Sequence, residues 1–241
     1  LPRILQNSIR PTLSRHSLRI ISTFSTPGLY SVASSFHIHR AILRMTCSYI
    51  AMLHSFCAST VPKPLMSNGP KLMLEFRGVY SSRYSRGFKA TYSFTENFGI
   101  TTGRQLAEYP CAFVFNSSDA KNGTFASPNF PGFYPRDTEC HYFFHGSRTE
   151  KVHLHFTYFD VEGISPCEAI SASDYVEFSN FMAHDRKYSR KCGQLKEFDI
   201  ESDRKFFRVT FRSNDRLDGT DGDAVLSLLL FMALLLFTTR G

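Results

Sequence analysis

The residues of this chain with the clearest chemistry are cysteines and glycosylatable asparagines. Four of the six cysteines lie between Cys111 and Cys192; no two cysteines form a CxxC pair, and none lies near histidines at zinc spacing. The same region holds N-glycosylation sequons at Asn116 and Asn122. Cysteines in strand-like sequence beside sequons favour a secreted or cell-surface protein over a cytosolic one with free buried thiols.

Two histidines at alternate positions, His153 and His155, have the spacing of a metal-binding pair on a strand. Structural or catalytic zinc needs three or four ligands, and the sequence indicates no third one, so we interpret them as histidines on a solvated strand face. The chain contains no HExxH motif, no G-x-S-x-G motif and no glycine-rich phosphate loop. We therefore predict that it is not an enzyme.

Strands must position these residues, because the surrounding sequence has the pattern of β-structure. Between Lys151 and Asp160 apolar and polar residues alternate, which predicts a strand with one face in a core. Further strands are predicted at Asp174–Phe178 and Phe206–Phe211, with turn clusters between them. Abundant Phe (24 residues) and frequent Gly and Pro also favour an all-β fold.

Positive charge is concentrated at the start of the chain. The formal net charge is +7, yet no Asp or Glu precedes Glu75. Residues 111–223 mix both signs, so the sequence provides no basic face for nucleic acid. Residues 1–52 remain unassigned: they are rich in Ser and Arg like a transit peptide, but a fragment start or a wrongly predicted exon is the favoured interpretation, and an internal start at Met45 with a weak signal core is a further alternative.

A repeat divides the rest of the chain. Cys57 and Cys192 are 135 residues apart, and so are the strand patterns Leu72–Phe76 and Phe207–Phe211. The first copy also contains an alternating strand at Gly87–Phe94. We predict the following organisation: a partial domain over 53–97, a linker over 98–110, a nearly complete domain over 111–223 and an apolar tail over 224–241.

The apolar tail leaves three alternatives open. Residues Ala224 to Phe237 are apolar except for Ser227. As a helix this run is about 21 Å long, short of the roughly 30 Å hydrocarbon core, and a GPI-type signal would place its polar spacer inside the last strand. Membrane attachment through 224–237, a substitute buried strand and an aberrant end of the gene model all remain as interpretations.

Taken together, these motifs resemble the CUB domain, an extracellular antiparallel Greek-key β-sandwich. The resemblance covers 111–222 nearly whole and 56–94 in part, and the matching residues are Cys111, Gly123-Thr-Phe, Ser127-Pro-Asn-Phe-Pro, Tyr134-Pro, Cys140, Phe156, Phe159-Asp-Val-Glu162, Cys167, Asp174-Tyr-Val-Glu177, Cys192-Gly193 and Phe211-Arg-Ser-Asn-Asp215. It implies two disulfides, Cys111–Cys140 and Cys167–Cys192.

The resemblance also implies a metal site, since some CUB domains bind calcium through a Glu and two Asp. By motif position the ligands here would be Glu162, Asp174 and either Asp215 or Asn214. Carboxylates from separate loops are suitable hard ligands for Ca²⁺. The inserted residues Glu168–Ser173 and the amide at position 214 depart from the family pattern. The alternative is that these residues are ordinary turn acids.

The likeness extends to a group with known partners. The segment from Phe76 to Gly103 is similar to the CUB–linker–CUB region of the neuropilin-and-tolloid-like and suppressor-of-lurcher proteins, which are accessory subunits of ionotropic glutamate receptors. The resemblance implies a cell-surface module that binds an extracellular protein or receptor subunit. The alternatives are a non-catalytic fragment of a tolloid-like metalloprotease and a matrix or adhesion protein.

Overall fold

The computed structural model describes residues 3–5, 33–42, 63–70, 72, 87–168, 173–182, 188–215 and 230–239. Every regular element in these ranges is a β-strand, which confirms the all-β prediction. The chain divides into two compact units, Leu1–Thr95 and Glu96–Gly241. Among the residues described, no helix has the length and apolar character needed to cross a bilayer.

The first unit contains one antiparallel sheet in its described part, in the order β1-β4-β2-β3. Its strands are β1 (Arg3–Leu5), β2 (Ala33–Ile42), β3 (Leu65–Met66) and β4 (Gly87–Thr95). β4 is the alternating strand that the sequence predicts. β1 and β2 lie in the segment 1–52 that sequence analysis leaves unassigned, while the predicted strand at 72–76 falls outside the described residues except for Leu72.

The second unit is a sandwich of two sheets. Sheet I has the order β11-β10-β14-β8-β6-β5 in the described part of the chain. Its strands are β5 (Arg104–Gln105), β6 (Ala112–Asn116), β8 (Glu139–His145), β10 (Tyr175–Ser179), β11 (Tyr188–Lys191) and β14 (Phe206–Arg212). All pairings are antiparallel except that β6 runs parallel to β8. Predicted strands at 174–178 and 206–211 therefore form, each within one residue.

Sheet II has the order β12-β9-β15-β7, with β13 also paired to β9. Its strands are β7 (Asn122–Ala126), β9 (Glu150–Val161), β12 (Gly193–Leu195), β13 (Phe198–Glu201) and β15 (Leu230–Thr239). β9 alternates as predicted: Val152, Leu154 and Phe156 are fully buried, and the histidines between them are half-exposed. Within the described residues β7 forms one edge of this sheet.

Phenylalanine rings fill the space between the sheets. Phe125 lies at the centre, with ring centroids 5.0 Å from Phe144, 5.9 Å from Phe156 and 6.0 Å from Phe231. All four rings are buried, and burying one such side chain contributes about 1.5–3 kcal/mol. The high Phe content of the sequence is thus explained in part by the core of the second unit, which is built from Phe rings.

The described part of the apolar tail is a strand of this core, which favours the alternative of a substitute buried strand over membrane attachment through 224–237. Residues 230–239 form β15, which pairs with β7 on one edge and β9 on the other. Phe231 and Ala233 are fully buried, and Leu235 is almost so. A strand hydrogen-bonded on both edges is committed to the sandwich. The internal repeat places the start of this strand at Gly222, whereas β15 begins at Leu230.

The segment predicted as a linker, 98–110, packs into the second unit. Phe98 and Ile100 are buried, and the backbone N–H of Asn129 donates to the carbonyl of Phe98 at 2.8 Å. Gly103 adopts a positive φ beneath the Phe115 ring, where an added Cβ would lie 2.7 Å from the ring. This stretch closes the end of the sandwich before β5 begins.

Candidate functional site

Both implied disulfides form in the second unit. Cys111–Cys140 connects the adjacent strands β6 and β8, and Cys167–Cys192 connects the loop before β10 to the residue that follows β11. The Cys167–Cys192 bridge holds a loop beside the sheet. It also stabilises the fold by reducing the entropy of the unfolded chain. The residues around it are consequently the best-positioned candidates for a binding site.

Asp174 is the centre of the candidate site. It immediately precedes β10 and is 3% exposed. One carboxylate oxygen, Oδ2, accepts a hydrogen bond from the Tyr134 hydroxyl at 2.7 Å, and the other, Oδ1, accepts from the backbone N–H of Asn214 at 2.7 Å. Both donors are neutral. The three residues come from three separate segments, which the carboxylate thereby ties together.

Burial dominates the electrostatics of this group. Desolvation raises the pKa of Asp174 to about 6, although hydrogen bonds from Asn214 and Tyr134 and the charge of Arg136 act in the opposite direction. Desolvation, together with the nearby Asp174 carboxylate, raises the pKa of the Tyr134 hydroxyl. Near neutral pH the site therefore holds a buried negative charge without a counter-ion hydrogen-bonded to it.

Glu162 is tied to the same tyrosine through its backbone. Its N–H donates to the Tyr134 hydroxyl oxygen at 3.2 Å. The next residue, Gly163, has φ of +148°, and a Cβ there would lie 2.7 Å from the Cβ of Ser173 and 2.9 Å from Cys192 Sγ. Only glycine suits both this backbone conformation and the close approach to the disulfide. The turn after β9 thus brings Glu162 to the end of the sandwich that contains Asp174.

The two alternatives for the last ligand position, Asn214 and Asp215, have different surroundings. Asn214 is half-buried and its backbone is held on both sides, because its N–H donates to Asp174 and its carbonyl accepts from the Asp137 N–H at 2.9 Å. Asp215 is exposed. Ser213 supports the turn, since its hydroxyl donates to the Pro135 carbonyl at 2.8 Å. Asn214 is therefore the residue placed against Asp174.

The arrangement fits a hard cation in its donor type. Asp174, Asn214 and Tyr134 offer only oxygen atoms at their side-chain acceptors, as Ca²⁺ prefers, and the buried charge of Asp174 would be neutralised by one. Among the described residues no three His, Cys, Asp or Glu side chains converge as a ready metal site. A cation here would thus need amide, hydroxyl or backbone oxygens besides the carboxylates. Of the inserted residues 168–173, only Glu168 and Ser173 are described.

The sequence did not identify Tyr134 as a site residue. It belongs to a Tyr-Pro motif, and an aromatic residue beside proline in a turn is normally interpreted as a packing residue. Its ring does pack, with its centroid 4.7 Å from that of Phe211. The signal that could have revealed its role is the hydroxyl, because a buried tyrosine oxygen needs a polar partner.

The histidine pair has a different environment. The nitrogens His153 Nε2 and His155 Nδ1 lie 3.0 and 2.9 Å from the same oxygen, Oδ1 of Asp199 on β13. Hydrogen bonds from these histidines, with that of His155 the larger, lower the pKa of Asp199. The structure places all three side chains on the outer face of sheet II, in agreement with a solvated strand face.

The two sequon asparagines also differ. Asn116 ends β6, and its amide donates to the Asp119 carboxylate at 3.1 Å. The central residue of its sequon, Ser117, is buried. Asn122 begins the edge strand β7 and is exposed.

Comparison with known proteins identifies the class of the second unit. Residues 111–221 match the family model described as the CUB domain. The match supports the resemblance to the CUB domain for that segment of the sandwich.

Several curated proteins are similar to this chain. This chain is 28% identical to cubilin of Sus scrofa in a match that covers 73% of this chain. It is also 28% identical to a bone morphogenetic protein 1 homolog of Strongylocentrotus purpuratus, in a match that covers 68% of this chain. Neuropilin-1 of Xenopus laevis is 30% identical over 47% of the chain. The chain spans only 4%, 22% and 11% of these relatives, respectively.

The chain is also similar, at low identity, to solved structures. The CUB1-EGF-CUB2 region of human MASP-1/3 is 16% identical with a TM-score of 0.41, and the match covers 94% of both chains. The MASP-1 CUB2 domain bound to Ca²⁺ is 23% identical with a TM-score of 0.37, covering 50% of this chain and 95% of that one.

Proposed function

We propose that the second unit is an extracellular protein-binding module whose binding surface is the end of the sandwich around Asp174, organised by calcium. The observation that carries the proposal is the buried carboxylate of Asp174, whose hydrogen-bond partners among the described residues are the neutral hydroxyl of Tyr134 and the N–H of Asn214. A buried anion is costly unless a cation or several hydrogen bonds compensate it.

The residues that would hold the ion are Glu162, Asp174 and Asn214, with Asp215 at the rim. Bound there, Ca²⁺ would neutralise the Asp174 carboxylate and link the loops that carry these residues. Hydrogen bonds within the chain already fix the positions of these loops. Tyr134 links Asp174 to the backbone of Glu162, and the backbone of Asn214 is bonded to both Asp174 and Asp137. The effect of the ion is therefore to rigidify a preorganised surface.

An apolar anchor for a protein partner lies next to this site. Ile164, two residues after Glu162, is 78% exposed, and its N–H is fixed by the Ser173 hydroxyl at 3.1 Å. Exposed apolar side chains on a rigid backbone are favourable interface centres, because little conformational freedom is lost on binding. Ile164 beside a charged site is suited to a protein surface that offers an apolar pocket and polar groups around it.

The partner we propose is the extracellular part of a receptor subunit, specifically of an ionotropic glutamate receptor. Support comes from the CUB–linker–CUB resemblance of the segment from Phe76 to Gly103 and from relatives that include neuropilin-1 and cubilin. In this role the chain is a non-catalytic accessory protein at the cell surface. The site around Asp174 then determines whether the loop that carries Ile164 is kept in the conformation that binds the receptor.

Surface plasmon resonance with immobilised extracellular domains of ionotropic glutamate receptor subunits tests this function. The full chain is passed over them in millimolar calcium and again in EDTA. We expect calcium-dependent binding that Ile164→Ser weakens about tenfold, or 1.4 kcal/mol. Met182→Ser, which changes another exposed apolar residue (60% exposed), is the matched control. Failure to bind any subunit, or binding that EDTA and Ile164→Ser leave unchanged, contradicts the proposal.

A further inference from the structure

The outer face of sheet II carries an exposed apolar pair. Leu234 and Leu236 on β15 are 43% and 42% exposed, whereas Leu235 between them is buried in the core at 4%. Neighbouring positions on this face belong to polar side chains, since Leu234 pairs with His155 and Leu236 with His153. Two neighbouring leucines on a polar face form a small apolar patch that a covering group could shield from water.

The β7 edge of sheet II, beside that pair, is also unprotected. β7 is five residues long and pairs only with β15 in the described structure. An edge strand presents unpaired N–H and C=O groups, which another chain can extend. Proteins normally block such edges with charges, proline, bulges or a covering segment. Its first three residues, Asn122 to Thr124, include no charge and no proline.

The register places a sequon at this point. Asn122 is directly opposite Leu236, and Thr124 is directly opposite Leu234. Directly paired residues of an antiparallel ladder project from the same face, with Cβ atoms about 4.5–5.5 Å apart. Asn122 is exposed, and a Cβ added to Gly123 would meet nothing within 4 Å. A group attached to the Asn122 amide thus emerges beside both leucines, at the edge of the sheet, into open space.

We infer that Asn122 carries an N-linked oligosaccharide and that its first sugars cover Leu234, Leu236 and the free edge of β7. N-acetylglucosamine has apolar C–H faces that pack on aliphatic side chains, and its hydroxyls keep the covered surface soluble. Asn116 is the lesser acceptor, because its amide is engaged by Asp119 and the next residue, Ser117, is buried. The inference rests on the extracellular location in the proposed function, but not on calcium or on the receptor partner.

The test uses the full chain secreted from animal cells behind a heterologous leader. Glycopeptide mass spectrometry measures occupancy of each sequon. We expect sugar at Asn122 in the natural chain and in Thr124→Ser, which keeps the sequon, and none in Thr124→Ala. The folded glycoprotein is then deglycosylated enzymatically without denaturation, which avoids any folding defect of a variant.

Removal of the sugar should increase the fluorescence of the apolar dye ANS severalfold and shift part of the protein to a dimer in size-exclusion chromatography. In the double variant Leu234→Thr, Leu236→Thr the same treatment should leave the dye fluorescence unchanged, and Asn116→Gln should behave as the natural chain does. An unmodified Asn122, or a deglycosylated natural chain with unchanged dye binding and elution, overturns the inference. Calcium-dependent stabilisation, measured on the same samples, reports separately on the proposed function.

Discussion

Two buried carboxylates, one in β10 and one just before it, have different partners. Glu177, in the middle of β10, is 5% exposed and forms ion pairs with Arg208 at 3.1 Å and Arg190 at 3.0 Å. Asp174, just before β10, is 3% exposed, and among the described residues it accepts hydrogen bonds from two neutral donors. Glu177 is thus paired with two arginines, whereas Asp174 is the carboxylate that we propose a bound cation neutralises.

Removing an arginine that pairs with Glu177 should have the largest effect on the free energy of unfolding. Arg208 is 1% exposed, and its guanidinium also donates to the Met182 carbonyl at 3.0 Å. Arg208→Ala leaves Glu177 buried beside a single, partly exposed arginine, so we expect it to lower the free energy of unfolding by about 3–5 kcal/mol. Urea denaturation measures this loss.

The matched control is Arg212→Ala on the same strand, because Arg212 is exposed and lies 3.9 Å from Glu139. It should cost less than about 1 kcal/mol. If both arginine variants lose the same stability, Glu177 does not depend on Arg208 and the comparison fails.

Next in size is the loss of the disulfide that fixes the Asp174 end of the sandwich. Replacing Cys167 and Cys192 together by Ser should cost about 2–5 kcal/mol, since the bridge closes a loop with a sequence separation of 25 residues. The calcium affinity should fall as well, because the bridge holds the Gly163 turn beside Glu162. Replacing Cys111 and Cys140 should reduce stability similarly but leave calcium affinity nearly unchanged. Equal losses of calcium affinity in the two double variants would argue against a localised site.

The buried carboxylate of Asp174 should make the stability of the calcium-free protein depend on pH. Burial raises the pKa of Asp174 from 3.8 to about 6 in the folded state. The folded chain therefore binds this proton more tightly than the unfolded chain, and the contribution of Asp174 to stability falls as pH rises from about 4 to about 6. The loss amounts to about 3 kcal/mol.

Denaturation in EDTA at pH 4 to 7 measures this slope, and Asp174→Asn should remove it. Glu150 provides the contrast, because hydrogen bonds from Lys121, Ser117 and Ser147 lower its pKa to about 2. Stability contributed by Glu150 is present above pH 4.5 and is lost as the pH falls towards 2. Identical pH profiles of Asp174→Asn and the natural chain would mean that Asp174 is not an uncompensated charge.

The smallest effect concerns the two neighbouring candidates for the last ligand. Because the Asn214 backbone is fixed against Asp174 and Asp215 is exposed, Asn214→Ala should weaken calcium binding about tenfold. Asp215→Ala should weaken it only slightly. Calorimetric titration of both variants decides between them, and the reverse order would assign the position to Asp215.

The sequence was sufficient for features that depend on local pattern. Alternation at 151–160 predicts β9, and the resemblance implies both cysteine pairs and the position of Asp174. Glu162, Asp174 and Asn214 could be proposed as one site because they belong to short motifs at recognisable distances from cysteines, and the metal assignment stays a prediction. What remained unpredictable depends on register between distant strands.

Glu177, Arg190 and Arg208 belong to three strands and meet only through the pairing of β10 with β11 and β14. No local pattern encodes that meeting. The same holds for β15: its apolar run suits a membrane, a core strand or neither, and it is the pairing with β7 and β9 that favours the core strand. Tyr134 was missed because its packing role obscured the hydroxyl.

The most direct test of the account is isothermal titration calorimetry of calcium into the full chain near neutral pH, with thermal unfolding followed in parallel. The natural chain should bind one Ca²⁺ in its second unit and gain about 2.7 kcal/mol of stability at a hundredfold excess over Kd. Asp174→Asn should abolish both effects, while Asp199→Asn, at an exposed carboxylate on the opposite sheet, should preserve them. A natural chain that shows neither calcium heat nor a shift in unfolding temperature contradicts the account.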